Sequence, residues 1–262
     1  MKKTFSFLLF LTIAMSAAAQ DYSHPTEADE VVIEKPQEYL KNYRERRSRY
    51  GVIASVNFEQ YAPNDYFSIS QNKFFDEFTK NSKIGLVSGD LGLKVNFDLG
   101  SASVLLGVAS GQYESDAQNI YSISARIVRL SANFSMDTLM SEPWIVPYGQ
   151  VGVHQLYWTE KSYDQTNALI NQSLTTPLTF NYKVGLLFQL NWIESYIDPE
   201  TQVNGLRSSG LENTFIDVFY QHYGNTSEPV EATDSSANNT VVGTTNADLE
   251  SSNFGIGLKL EF

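Results

Sequence analysis

Three histidines are the first residues to ask about chemistry: His24, His154 and His222. A serine nucleophile needs a histidine base whose second nitrogen is oriented by a carboxylate. His24 lies in the leader, out of reach of the strand segments. His154 falls on the polar side of an alternating segment. His222 sits at the end of another, ahead of the loop acids Glu228 and Glu231. The local spacing marks no triad. No clustered ligand spacing suggests zinc, the acids at 228–250 have no calcium-loop spacing, and no segment implies a cofactor. A second group carries more information. Glu59, Lys94, Arg129, Lys183, Asp217, Lys259 and Glu261 each occupy a polar slot in a segment whose alternate residues are apolar. Charges of both signs on one face of extended segments point to a shared polar interior in which they pair, since unpaired charge in a narrow space is costly.

The elements that must position them alternate with period two, the period of a strand. Tyr50 to Glu59 is the first. The second reads Leu91 to Leu99 and starts near Ile84. The third is Val104 to Tyr113. The fourth runs from Ile120 to Met136 and slips near Ile127–Val128, which predicts a bulge between Arg126 and Arg129. The fifth is Trp144 to Trp158, the sixth Leu178 to Trp192, the seventh Thr214 to Tyr223. In the eighth, Phe254, Ile256, Leu258, Leu260 and Phe262 alternate with Asn253, Gly255, Gly257, Lys259 and Glu261. Glycines 92, 185, 255 and 257 share the polar face. Eight segments of about ten residues suit tilted membrane strands. Residues 194–212 are long for a turn and leave ten strands open.

Length, charge and export narrow the class. The chain has 262 residues, a net charge of −12, no cysteine and 13% aromatic residues. The acidic balance argues against nucleic acid. Without cysteine, no disulfide holds the fold in an oxidising compartment. Lys2 and Lys3 precede an apolar run from Phe5 to Met15 and then Ser16-Ala17-Ala18-Ala19-Gln20, which reads as a secretory signal over 1–20 cleaved after Ala19 or Gln20. Residues 21–49 form a leader, partly helical from Pro36 to Arg47. Its arginines 44, 46, 47 and 49 either plug an interior or, as composition favours, sit near lipid headgroups. Residues 50–262 form the strand domain.

The loops alternate too. Stretches 61–83, 159–177 and 224–251 are long and polar, whereas 98–103 and 137–143 are short. The acidic run 224–251 has the composition of a coreless, mobile loop. Loop 61–83 carries Tyr66, Phe67, Phe74, Phe75 and Phe78, which either pack over an opening or form an adhesive or lipid-touching patch. Tyr50, Phe97, Phe134, Trp144, Trp192 and Phe262 fall at one end of the strands. Tyr61, Tyr113, Trp158 and Tyr223 fall at the other, so two aromatic girdles at headgroup depth are expected.

The final alternation ending on Phe262 resembles the assembly signal of bacterial outer-membrane proteins, which the barrel-insertion machinery reads. The whole of 50–262 is similar to the small outer-membrane barrels of the OmpA, OmpX and OmpW type, and Pro147-Tyr148-Gly149-x-Val151-Gly152-Val153 resembles a strand common among them. The resemblance implies an all-β, closed, up-and-down antiparallel transmembrane β-barrel, eight strands before ten, in the outer membrane. It implies a monomer embedded among outer-membrane lipid and lipopolysaccharide. No peptidoglycan-binding domain is expected after the last strand. Some such barrels are lipid-modifying enzymes or proteases with serine, histidine and acids at the outer rim. The residues favour a non-enzymatic envelope protein with a polar plugged lumen, ahead of a narrow channel for small or apolar solutes and a rim-active enzyme.

Overall fold

The computed structural model describes residues 47–63, 66–68, 73–78, 83–114, 121–163, 169–190, 210–225, 230–234, 240–245 and 249–262. The signal segment and most of the leader, including Arg44 and Arg46, lie outside them, as does Trp192. In chain order the elements are β1 Tyr50–Tyr61, β2 Phe67–Ser68, β3 Lys73–Phe74, α1 Phe75–Phe78, β4 Ile84–Phe97, β5 Gly100–Glu114, β6 Ser122–Ser135 and β7 Ile145–Tyr163. Then follow β8 Leu169–Thr175, β9 Thr179–Gln189, β10 Asn213–Tyr223, β11 Val230–Asp234, β12 Thr240–Thr245 and β13 Ser251–Glu261.

Eight of these close a barrel. β1 pairs β4, β4 pairs β5, β5 pairs β6, β6 pairs β7, β7 pairs β9, β9 pairs β10, β10 pairs β13, and β13 returns to β1, every pairing antiparallel. Closure leaves the barrel no exposed edge, so backbone groups are satisfied strand to strand. β9 pairs β10 directly, so the ring closes with eight strands and not ten; residues 191–209 lie outside the described residues. The other elements stand at the end away from the termini. Residues Ile145–His154 of β7 pair β9, but Tyr157–Tyr163 pair β8, which pairs β11, which pairs β12. The stretches 159–177 and 224–251, expected as loops, thus contribute strands to an extension of the sheet: the run 230–234 and 240–245 is a hairpin.

Strand length explains what happens next. A tilted strand needs about 9–11 residues to cross a bilayer, whereas β4, β5, β6 and β7 have 14, 15, 14 and 19. The surplus lies at the loop end, and there the two faces exchange character. On β6, Val128, Leu130 and Phe134 face outward and Arg129, Ser131, Asn133 and Ser135 are buried inside; one turn of the pleat higher, Ser122, Ser124 and Arg126 face outward and Ile123, Ala125 and Ile127 are buried. β4 changes from inward Asp90 and Ser88 to Leu86 and Ile84, and β7 from Gln150 and His154 to Leu156 and Trp158. The register through 127–128 is unbroken on both sides, so the expected bulge is absent. The apolar pair Ile127–Val128 marks the level where the outside medium changes. Arg126 and Arg129, three apart, lie on opposite faces.

Below that level Leu91, Leu93, Val104, Leu106, Leu130, Val151, Phe180, Ile256 and their neighbours form a continuous exposed apolar band. Such an area belongs in hydrocarbon, not water. Above it the barrel is built like a water-soluble one, with an apolar core of Tyr61, Tyr66, Phe75, Leu86, Ile123, Leu156, Trp158, Tyr223 and others. This corrects two expectations. The interior is not polar throughout. And Tyr61, Trp158 and Tyr223 are buried core residues, with Tyr113 packed against them, not an outer girdle. At the opposite end Tyr50, Phe97, Phe134, Trp144 and Phe262 are exposed as expected.

Candidate functional site

The lumen brings Glu59 and Lys183 into one network with Arg129, joined by Asp90. The Arg129 guanidinium has five N–H donors, and all five are used. Nε donates to Asp90 Oδ1 at 2.9 Å and Nη2 to Asp90 Oδ2 at 3.0 Å. Nη2 also reaches Ser88 Oγ at 3.1 Å, and Nη1 donates to Glu59 Oε1 at 3.1 Å and to the Tyr223 hydroxyl at 2.6 Å. That hydroxyl donates in turn to Glu59 at 3.0 Å. Ser55 and Asn57 donate to Asp90 Oδ2, both at 3.1 Å. Lys183 lies 3.9 Å from Asp90 and 4.0 Å from the centroid of the Phe219 ring. The network therefore draws on β1, β4, β6, β9 and β10 and crosses the interior. Gly107 makes room for it: a methyl group there would run into Asp90 Oδ1 and the Arg129 side chain.

Nearer the termini, Lys94 donates to Glu261 at 2.9 Å and Lys259 lies 3.5 Å from the same carboxylate. Lys94 also meets Glu212 at 3.5 Å. Asp217 is held by the Tyr148 hydroxyl at 2.8 Å instead of an ion pair, within the small apolar cluster of Val146, Tyr148, Leu187, Phe215 and Phe219. Among the described residues the buried cations Lys94, Arg129, Lys183 and Lys259 share the interior with Glu59, Asp90, Asp217 and Glu261, while Asp137 and Glu160 are buried toward the two ends.

Both ends are covered. At the terminal end Arg47 Nη1 donates to Asp137 Oδ1 at 2.7 Å, both side chains buried, and Arg47 also reaches the Phe97 carbonyl. The Ser48 amide donates to Glu212 at 2.9 Å, and Asn96 donates to the Ser48 carbonyl at 2.6 Å. So the last arginines of the leader divide: Arg47 is a latch on the barrel's own turn, and Arg49 lies exposed beside the Tyr50 ring. The headgroup placement expected for the cluster fails at Arg47. Burial pushes the Asp137 carboxyl above its ordinary range despite the arginine beside it.

At the loop end Tyr66 and Phe75 pack on Trp158, with ring centroids 4.9 and 6.0 Å away. Under them the buried Glu160 carboxylate accepts from the Tyr66 hydroxyl at 2.5 Å and Ser68 Oγ at 2.6 Å. Burial, then the nearby carboxylate, pushes the Tyr66 phenol well above its usual range. Of the two readings of loop 61–83, the structure puts Tyr66 and Phe75 into the cover, while Phe74 stays exposed.

Among the described residues, the buried polar atoms without a hydrogen-bond partner include a group on β6, β7 and β9. Ser131, Gly152 and Asn181 are aligned across β6, β7 and β9. Ser131 Oγ, Gln150 Nε2 and both amide atoms of Asn181 are unpaired there. Buried polar groups of this kind are ordinarily completed by internal water.

His222 faces outward, stacked on Tyr182 with centroids 4.7 Å apart. Its Nδ1 lies 2.7 Å from Ser252 Oγ and 3.9 Å from Glu250. Hydroxyl and carboxylate share one nitrogen, so the acid cannot orient the ring while that nitrogen takes the serine proton. Among the described residues no group of histidines and acids is arranged to hold a metal. Sequence reasoning missed Asp90, Glu160 and the Tyr223 hydroxyl. Asp90 was accessible: it shares the parity of Gly92 and Lys94, two residues beyond where clear alternation begins.

Phe254, Ile256, Leu258 and Leu260 face outward on β13, as does Phe262 just past its end, and Phe262 and Val52 exchange backbone bonds of 2.8 and 2.9 Å.

No family model matches this chain, and no curated protein matches it. Solved structures with a similar fold include the outer membrane protein OprG from Pseudomonas aeruginosa, 12% identical over 81% of this chain and 95% of that one, with a TM-score of 0.46. Ail, the attachment invasion locus protein of Yersinia pestis, is 13% identical over 82% of this chain and 100% of that one, at 0.41. The outer membrane protease OmpT from Escherichia coli is 9% identical over 81% and 94%, at 0.38. At these identities the likeness concerns fold alone. In strand number, closure and the placing of apolar residues outside and charges within, this chain resembles the small bacterial outer-membrane β-barrels.

Proposed function

We propose that the chain is a monomeric, non-enzymatic barrel of the bacterial outer membrane, with a structural or surface-binding role and a lumen closed to solutes. The observation that carries this reading is the Arg129 network. A guanidinium with every donor used, at the centre of a network that draws on five strands, leaves little space in an eight-stranded barrel, whose interior side chains nearly fill. The covers at Arg47–Asp137 and at Tyr66–Phe75–Trp158 close the same axis twice more. In this reading residues 1–20 are removed after Ala19 or Gln20, the termini lie in the periplasm, and the β8–β11–β12 extension stands outside the cell. Phe254, Ile256, Leu258, Leu260 and Phe262 are what the insertion machinery reads, and lipopolysaccharide surrounds the outer rim. No nucleic acid or cofactor takes part.

Planar-bilayer recording tests the central claim. The mature protein is expected to insert without unitary currents, and stable single-channel steps would overturn the plug. One observation favours a second reading, a narrow path for small solutes: the unpaired polar atoms of Ser131, Gln150 and Asn181 need water inside the wall. Under that reading, Arg129→Ala should raise an existing small conductance, whereas under the first it acts on stability alone.

A further inference from the structure

Arg126 is an arginine with nothing to hold among the described residues. Its guanidinium makes no ion pair or hydrogen bond with any described residue, and it is exposed on the outer face of β6. Its height is fixed by the exchange of faces. On β6 it is the first polar outward residue after Phe134, Leu130 and Val128. Its partner across β5 is Ser110, the first polar outward residue after Val104, Leu106 and Val108. Its partner across β7 is Tyr157, next to Gln155, the first polar outward residue after Val151 and Val153. Three adjacent strands thus leave the apolar band at the same level, and Arg126 stands directly on its edge.

The surroundings select an anion. The outward neighbours of Arg126 are Ser110, Ser124, Val128, Gln155, Tyr157 and Thr159, with no acid among them. In a chain of net charge −12 that is an exception. The nearest outward acid on these strands, Glu114, is engaged by Gln112 Nε2 at 2.6 Å. The Tyr157 hydroxyl donates to Gln155 at 2.8 Å, which holds its ring on the outer face. One row higher, Gln112, Ser124, Thr159 and Ser173 are aligned across β5, β6, β7 and β8. That is a row of hydroxyls and one amide above a lone guanidinium, and beneath both lies hydrocarbon.

We infer that the outer face of β6 and β7 at Arg126 and Tyr157 binds the phosphate of a phosphorylated glycolipid in the surrounding leaflet. A guanidinium offers a planar fork that matches phosphate oxygens. The acyl chains lie against Val128, Leu130 and Val151, and the sugar hydroxyls meet the Gln112–Ser124–Thr159 row. A free anion would satisfy the arginine but use neither the apolar band below nor the polar row above. The inference rests on the outer-membrane reading proposed above.

The test is lipid retention by the full mature chain in a neutral detergent, measured by native mass spectrometry with diphosphorylated lipid A, its dephosphorylated form and inorganic phosphate as probes. Wild-type protein is expected to retain diphosphorylated lipid A about five-fold better than Arg126→Gln, with Arg126→Lys between them. Lys161→Gln, higher on the same face, is expected to behave as wild type. Arg126 touches no packed group, so the variant should fold, which its heat-modifiable mobility on gels checks. Equal retention by Arg126→Gln would overturn the site. So would equal retention of the dephosphorylated lipid, or full displacement by inorganic phosphate, which would leave a free-anion contact only. A chain that fails to insert into vesicles at all would instead sink the underlying membrane reading.

Discussion

Arg129 grips the Asp90 carboxylate with two parallel hydrogen bonds, 2.9 Å from Nε and 3.0 Å from Nη2, in the middle of a barrel whose outside is apolar. Such a pair does not guarantee stability, because the desolvation of both ions offsets their attraction. Removing one partner is another matter, since it strands the other. Asp90→Asn and Arg129→Met should each lower stability by about 3–5 kcal/mol. Arg129→Lys should rescue little, because one ammonium cannot fork onto Asp90 and also reach Glu59 and Tyr223. The folded fraction against urea, read by gel mobility, measures this. If Asp90→Asn unfolds at the wild-type concentration, the network does not hold the lumen together.

The loop-end cover makes an optical prediction. Trp158 is buried beneath Tyr66 and Phe75, whereas Trp144 is exposed at the other end. Phe75→Ala removes a buried ring, at a cost of about 3–5 kcal/mol if the site cannot relax. It should make Trp158 accessible to acrylamide and shift its emission to the red. Ion conductance should stay absent, because the Arg129 network lies below. A conducting Phe75→Ala variant would mean that the cover, not the network, seals the barrel.

The Tyr66 phenol gives a pH signature. Burial and Glu160 raise its pKa well above the ordinary value near 10. A raised phenol pKa favours the neutral form in the fold. Its contribution is therefore complete below about pH 10, the unfolded value, and is lost as the pH climbs toward the folded value. Tyr66→Phe should leave the native phenolate absorbance unchanged up to about pH 11 and remove one phenolate only after unfolding. A native titration that loses a group near pH 10 on this substitution would place Tyr66 in water.

Alternation at Ile256, Leu258 and Leu260 or at Leu91, Leu93 and Val95 identifies strands and their two faces. It does not say which face meets which medium. Ile127 and Val128 are adjacent apolar residues on opposite faces, so a strand passing from lipid into water looks like a slipped register. The same ambiguity assigned Tyr61, Trp158 and Tyr223 to a headgroup girdle: their height was right and their direction wrong. Lumen charges such as Lys94 and Glu261 were legible because a polar slot in a lipid-facing strand has one place to point. Arg47 was not, since nothing local to an arginine-rich leader indicates that Asp137, ninety residues on, awaits it. The hairpin at 230–234 and 240–245 was hidden by its composition, which resembles that of a loop until β8 supplies an edge to pair with.

The seam between β13 and β1 separates two roles for Phe262. Its backbone is bound to Val52 in both directions, while its ring points outward at the edge of the apolar band. Removing residue 262 deletes two hydrogen bonds, each contributing about 0.5–1.5 kcal/mol. Phe262→Ser keeps both and deletes the ring alone. If the ring serves recognition during insertion, Phe262→Ser should refold in detergent within about two-fold of wild type, a difference of under 0.5 kcal/mol. Its inserted amount in cells should nevertheless fall several-fold. If the ring serves only to anchor the finished barrel in lipid, detergent refolding and cellular insertion should fall together, and the assembly-signal reading of Phe254, Ile256, Leu258, Leu260 and Phe262 fails. Ile256→Ser, in the middle of the same outward row, is the control. It places a hydroxyl deep in the band, where burial of an unpaired polar group is costly, so it should depress both measurements whichever role Phe262 has.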